Sequence, residues 1–272
     1  MRTGFCTLFS TMDAAHTIRE AVARVTAIRL AALSDPLTQS ATQAVKSFQA
    51  KRFSGTYGDL LASVEFGAAA RFFLEDLYSD KDYSQRDAQF SRIAGALQTL
   101  FPQQVVATAV SLAQLHQLTE ELDAQMAADW ITQTPNRQSD SVTRYMASWK
   151  QVGREADRKR QLEMVLSVGA DLDRLTRTPG LRFMLKMMRR PASAAGLGSL
   201  QNFLESGFDT FSGMSGNGSR AREFLQTIQK RESAWIERLS RGEAAQCHIA
   251  LDNCLANALP DCRHPMPTTV AL

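Results

Sequence analysis

A lone imidazole, a cysteine-rich tail, a cluster of carboxylates and a run of cations are where this 272-residue chain could do chemistry. The imidazole is His116. On a helix turning about 100° per residue, Ala109, Leu112, Leu115, Leu122, Met126 and Trp130 make an apolar stripe. His116 and Asp123 fall inside it, with Thr119 beside them and Glu120 on its flank. An imidazole that faces a core must find a hydrogen-bond partner. The plain expectation is therefore a packing pair with Asp123 or Thr119, and the sharper one is His116 as axial ligand to haem or another metal centre.

The tail, Cys247–His264, carries Cys247, Cys254 and Cys262 with His248 and His264. Thiols and imidazoles are zinc ligands, but the spacing Cys-x6-Cys-x7-Cys-x-His lacks the short hook that puts two ligands on one turn. Thiols packed as small apolar groups are expected instead. The carboxylates lie in Ala70–Asp87, ARFFLEDLYSDKDYSQRD. Phe66, Ala70, Phe73, Leu74 and Leu77 share one helical face, with Glu75 opposite. Ser79–Asp82 reads as a turn, and Ser84 with Asp87 resembles a capping box. The acids are thus expected to punctuate helices rather than to form a catalytic dyad.

The cations are Arg182, Lys186, Arg189 and Arg190 on one face of a helix over 179–190, with Leu181, Met184, Leu185 and Met188 opposite. Six basic residues and no acid fall between Arg174 and Arg190. Such a face can bind a phosphate, an anionic membrane or an acidic protein. It can equally be an ordinary solvated face. Phe183 is the one ring there, so base stacking is not expected, and no DNA-reading motif accompanies it.

Recognised catalytic patterns are missing. There is no Gly-x-Ser-x-Gly, no P-loop, no Gly-x-Gly-x-x-Gly, no His-Glu-x-x-His and no Glu-x-x-His. The glycine-rich stretch in 212–219 follows no strand, so it is not a phosphate loop.

The elements that must position these residues are helical throughout. Helical periodicity predicts Asp13–Leu33, a helix from Pro36 to about Lys51, a turn and short helix over Ser54–Leu61, and a helix from Ser84 to Leu100. A helix follows from Pro102 to about Trp130. Beyond the polar stretch Thr132–Ser141 come a helix or helix pair over Val142–Leu175, the basic helix, and helices over Gly198–Phe211, Arg220–Arg241 and Glu243–Leu259. Alternating β-branched runs with tight turns are missing. Charge divides unevenly: residues 1–135 hold 11 Lys/Arg against 14 Asp/Glu, and residues 136–272 hold 20 against 14.

Several stretches together resemble a family of uncharacterised, mostly proteobacterial helical proteins. They are RFFLEDLY at Arg71–Tyr78, Arg86–Asp87, LAQLH at Leu112–His116, FLESGF at Phe203–Phe208 and Arg231–Glu232. The resemblance spans roughly residues 48–240 and implies an all-helical bacterial cytoplasmic protein, with no activity to transfer. The order of elements from RFFLEDLY to LAQLH is also similar to the middle of a globin, which would make His116 a proximal haem ligand. Against that, the helix runs on past His116, and His16 is the only earlier histidine.

The expectation is an all-α multi-helix bundle. It divides into an extension (1–11), an N-terminal lobe (12–135), a basic C-terminal lobe (136–259) and an irregular tail (260–272). The expected function is non-enzymatic: an interaction or regulatory protein using the basic region to bind a protein or other anionic partner, without a cofactor. The alternative is a haem- or cofactor-binding protein centred on His116. No apolar run is long enough to span a membrane, and the four cysteines, Cys6 alone and three crowded near the end, form no disulfide framework and suit a reducing cytoplasm.

Overall fold

A computed structural model describes residues 11–74, 84–100, 102–133, 140–214 and 220–258. Thirteen helices and no strands are present among the described residues, which gives the all-α fold that periodicity demands. In chain order they are α1 Thr11–Leu33, α2 Pro36–Thr56, α3 Gly58–Ala62, α4 Gly67–Phe72, α5 Ser84–Leu100, α6 Gln103–Thr132 and α7 Ser141–Val152. There follow α8 Glu155–Thr176, α9 Leu181–Met187, α10 Arg189–Ala194, α11 Gly198–Met214, α12 Arg220–Arg241 and α13 Ala244–Ala256. The 30-residue α6 is the axis. On it pack α1, α2, α7 and α8, while α5 lies against α1 and α11, and α12 lies against α8.

Local chemistry sets the joints. Asp35 caps α2 by accepting from the backbone N–H of Thr38 at 3.0 Å, and Pro36 takes the first helical position. α2 runs past the predicted end at Lys51 because Phe53 and Tyr57 are buried there, ring to ring at 4.4 Å. The long segment after residue 141 is a pair of helices, broken where Gly153 (φ 63°) and Arg154 (φ 55°) turn left-handed. The basic segment is two short helices rather than the single one expected from Pro179 to Arg190. Pro191 has no N–H, and its ring would clash with the carbonyl four residues back, at Met187, where α9 ends.

The main core draws on both sides of 132–141. Phe48 of α2 stacks on Tyr145 of α7 at 4.2 Å, and Phe73 meets Phe224 of α12 edge-on at 5.3 Å. Phe73 is buried as its spacing predicts. Leu77 and the expected turn at 79–82 lie outside the described residues, as do residues 1–10 and 259–272.

Candidate functional site

Three apolar stripes each carry an ionisable residue where a hydrophobic one would fit. On α1 the series Ile18, Val22, Val25 continues to Arg29. On α5 the series of half-buried Phe90 and buried Ala94 begins at Asp87. On α6 the inward series Ala113, His116, Glu120, Asp123, Ala127, Trp130 has three ionisable members in its middle. Packing α1 and α5 against each other and α1 against α6 brings these positions together.

The result is a buried ionic cluster. Asp87 Oδ2 accepts from Arg29 Nη1 at 2.8 Å and lies 3.0 Å from His116 Nε2. Arg29 Nη2 donates to Glu120 Oε1 at 2.8 Å, and Lys46 Nζ of α2 donates to both Glu120 oxygens at 2.8 Å. Arg29 Nη2 also stands 3.2 Å from His116 Nε2. Because the ionised Asp87 carboxylate can only accept, the 3.0 Å contact assigns the Nε2 proton to His116, donated to Asp87. Three cations, Arg29, Lys46 and Arg86, whose Nε lies 3.5 Å from Asp87 Oδ1, offset two anions, Asp87 and Glu120.

Burial pushes the Asp87 carboxyl up, but the hydrogen bond and charge of His116 and the guanidinium groups of Arg86 and Arg29 outweigh it, holding Asp87 below the usual range. Glu120 behaves the same way: Lys46 and Arg29 overcome its burial. Asp123 differs. It is buried, accepts among the described residues only a neutral hydrogen bond from Gln49 Nε2 at 3.1 Å, and its carboxyl is pushed up by desolvation.

The predicted partners of His116 are thus corrected. Asp123 pairs with Gln49, and the Thr119 hydroxyl accepts from Gln161 Nε2 at 2.7 Å. The partner is Asp87, expected from the sequence to punctuate its helix. Glu120, expected on the flank, is 4 % exposed.

Beside this cluster lies a cavity of about 130 Å³. Asp87, Arg86 and His116 form its polar end. Apart from Thr108 and Thr119, the rest is apolar and includes Phe90 and Leu112 from α5 and α6, Leu172 from α8, Leu185 from α9, Phe203 and Phe208 from α11. Arg86 lies along this wall with its guanidinium 4.7 Å from the centre of the Phe203 ring. Arg29, Lys46 and the cavity walls went unrecognised because they come from elements distant in sequence. The readable signal was a charged residue continuing an apolar stripe.

The four predicted partner-binding cations are exposed on α9 and α10. Arg182 donates to Asp209 Oδ1 of α11 at 2.9 Å, and Arg189 Nε to both oxygens of Glu205 at 2.7 and 2.8 Å. Lys186 and Arg190 make no ion pair among the described residues. In the tail, Cys247 and Cys254 are buried free thiols, and Cys254 Sγ lies 3.2 Å from the Arg52 carbonyl. His248 sits between Asp140 and Asp252, at 3.1 and 2.9 Å. No group of three or more candidate metal ligands occurs among the described residues, and Cys262 and His264 lie outside them. No helix among the described residues is long and apolar enough to cross a membrane.

No curated protein and no solved structure matches the chain significantly. One family profile does match, over residues 29–246, which takes in the ionic cluster, the cavity walls and the basic face. The chain belongs to the family defined by that domain of unknown function, DUF8198.

Proposed function

We propose that this is a helical binding protein for a small apolar molecule with one polar group, seated in the cavity with that group against Asp87 and His116. The observation that carries this reading is the pairing of apolar walls with a single hydrogen-bonding end. A volume of about 130 Å³ is in the class of protein cavities that take benzene-sized ligands. The ionic cluster supports binding rather than turnover. The two hydroxyls on the wall, Thr108 and Thr119, each donate to a carbonyl of their own helix, at 2.9 Å, and so offer no nucleophile.

The haem alternative fares less well on the same geometry, because the Nε2 that would face a metal is committed to Asp87. A bacterial cytoplasmic setting belongs to this reading too, supported by the two free buried thiols. The expectation of an anionic partner rests on the basic face and is a separate matter.

Thermal denaturation with indole, toluene and hexanoate tests the ligand reading. A ligand that binds only the folded state stabilises it by about 2.7 kcal/mol at a hundred times its Kd. We expect at least one of these to raise Tm in the wild type. None should act on Ala109→Phe or Val168→Phe, which place a ring in the cavity. No shift with any of them, or equal shifts in the filled variants, would reject the reading.

A further inference from the structure

We propose that α9 and α10 form a docking face for an anionic phospholipid bilayer. The two helices are a unit bounded by Gly180 (φ 78°) and Gly196 (φ 70°), left-handed turns that a side chain would strain. Its inner side is well anchored. Leu181 and Leu185 are buried with Phe208, and Arg182 and Arg189 are tied to Asp209 and Glu205 of α11.

Its outer side is the unusual part. Phe183 and Met187, one turn apart, are 68 % and 62 % exposed. Lys186 lies between them in sequence and Arg190 follows, both exposed and without an ion pair among the described residues. An apolar ridge flanked by cations whose long stems can lie along it is the pattern of a helix that rests in a membrane interface. Peripheral docking is the mode that fits, since no described helix can cross a bilayer.

Charge complementarity selects the anionic lipid. The two cations already neutralised hold the unit to its own protein; of the two that remain exposed, Lys186 lies near Glu205 without pairing to it, and Arg190 stands at the start of α10 beyond the apolar pair. An acidic protein would satisfy Lys186 and Arg190, but it would leave no reason for an exposed Phe and Met one turn apart on the same helix. The inner side of α9 also lines the cavity, so the face that touches lipid would be the outside of the cavity wall. The docking surface does not rest on the ligand reading. It is measured without any cavity probe, so either can fail alone.

The test is flotation of the full chain with vesicles of equal parts phosphatidylglycerol and phosphatidylcholine, against vesicles of phosphatidylcholine alone. We expect binding at least about tenfold stronger on the anionic vesicles, weakening as salt rises. The pairs Lys186→Glu/Arg190→Glu and Phe183→Ser/Met187→Ser should each remove it, with Tm unchanged because all four side chains are exposed. Phe183→Trp supplies a second readout. Trp130, Trp149 and Trp235 are all buried, so a blue shift and quenching by brominated lipid would report the new ring alone. No flotation, equal flotation on neutral vesicles, or flotation that survives both double variants would overturn the proposal. Retention on polyglutamate without flotation would also overturn it and assign the face to an acidic protein.

Discussion

Two buried ionic clusters lie on α2, and they are built for different ends. Near its C-terminus, Arg52 forks onto Glu232 of α12, Nη1 to Oε1 at 3.0 Å and Nη2 to Oε2 at 2.8 Å, and the Tyr57 hydroxyl donates to the same carboxylate at 2.9 Å. Trp235 closes over this pair, its ring centre 5.7 Å from the Arg52 guanidinium, and its indole N–H donates to Thr56 at 2.9 Å. One turn and a half earlier, Lys46 enters the other cluster, with Arg29, Glu120, Asp87 and His116. Both satisfy their charges. The first is packed against the rings of Tyr57 and Trp235 and lines no part of the cavity that the second borders. Charge pairing alone therefore does not mark a site; a satisfied cluster that borders unfilled apolar space does.

The sharpest way to break this comparison is at the enclosed cluster. Burial works against the charge of Arg52, but Glu232 outweighs it and keeps the guanidinium protonated. Glu232→Ala would leave that charge buried and unpaired, at a cost of about 3–5 kcal/mol. Chemical denaturation measures this, and any ligand-induced Tm shift should survive in conditions where the variant folds. A loss under about 1 kcal/mol would mean that Arg52 reaches solvent and the cluster is no clamp.

At the open cluster the expected losses are smaller and coupled to binding. His116→Ala should cost roughly 1–3 kcal/mol by leaving Asp87 without one donor. It should also abolish discrimination between hexanoate and an apolar analogue lacking the polar group. A variant as stable and as selective as wild type would detach His116 from the site. Protein purified with haem supplied provides an independent check: a Soret band present in the wild type and lost in His116→Ala would make His116 an axial ligand and displace the small-ligand reading.

How much of this could be read from the chain follows from which signals are local. Helices α1, α5, α6 and α12 were legible because their apolar spacing repeats over many turns. The partition of 179–190 was missed although its cause, Pro191, stands in plain sight: the amphipathic pattern of Arg182 to Arg190 continues through a break that the backbone cannot. His116 was recognisable as an inward-facing imidazole. Its partner was not, because Asp87 lies 29 residues away on another helix and doubles as a plausible cap. Asp123, one stripe position beyond Glu120 on the same helix, looked the better partner. Only the packing of α2, which brings Gln49 to Asp123 and Lys46 to Glu120, separates the two acids.

That separation predicts opposite pH behaviour. Asp87 and Glu120 have folded pKa values below their ordinary ones. Their contribution is fully present above the unfolded values and is lost as pH falls through the folded ones. Asp123 is raised above its ordinary 3.8, so its ionisation penalises the fold at neutral pH, and the penalty fades as pH falls through its folded pKa. Asp123→Asn keeps an oxygen for Gln49 and should raise Tm modestly at pH 7, with the gain shrinking toward pH 4. Glu120→Gln should lower Tm at pH 7, with the loss shrinking on acidification. If both variants move Tm the same way at pH 7, Asp123 is ionised after all, stabilised by the charges of Lys46 and of Arg158 on α8, which both act on it.

The smallest effect is expected at the rim of the enclosed cluster. Arg231, next in sequence to Glu232, forks onto Asp59 of α3 with both contacts at 2.6 Å. The geometry is as close as that of Arg52 and Glu232, but the Asp59 side chain is 60 % exposed. Water screens such a pair, and ordering two mobile side chains costs entropy. Asp59 is held below its ordinary range mainly by the hydrogen bond from Arg231, yet that shift translates poorly into stability at this exposure. Asp59→Asn should therefore cost under about 1 kcal/mol at low ionic strength and nearly nothing in molar salt. Arg231 would keep its hydrogen bond to the Thr56 carbonyl at 2.8 Å, which holds the guanidinium in place over the Tyr57 ring. A loss that matched Glu232→Ala and ignored salt would show that the clamp extends to the surface. Burial, which separates the two ion pairs in this account, would then not be what gives the inner one its strength.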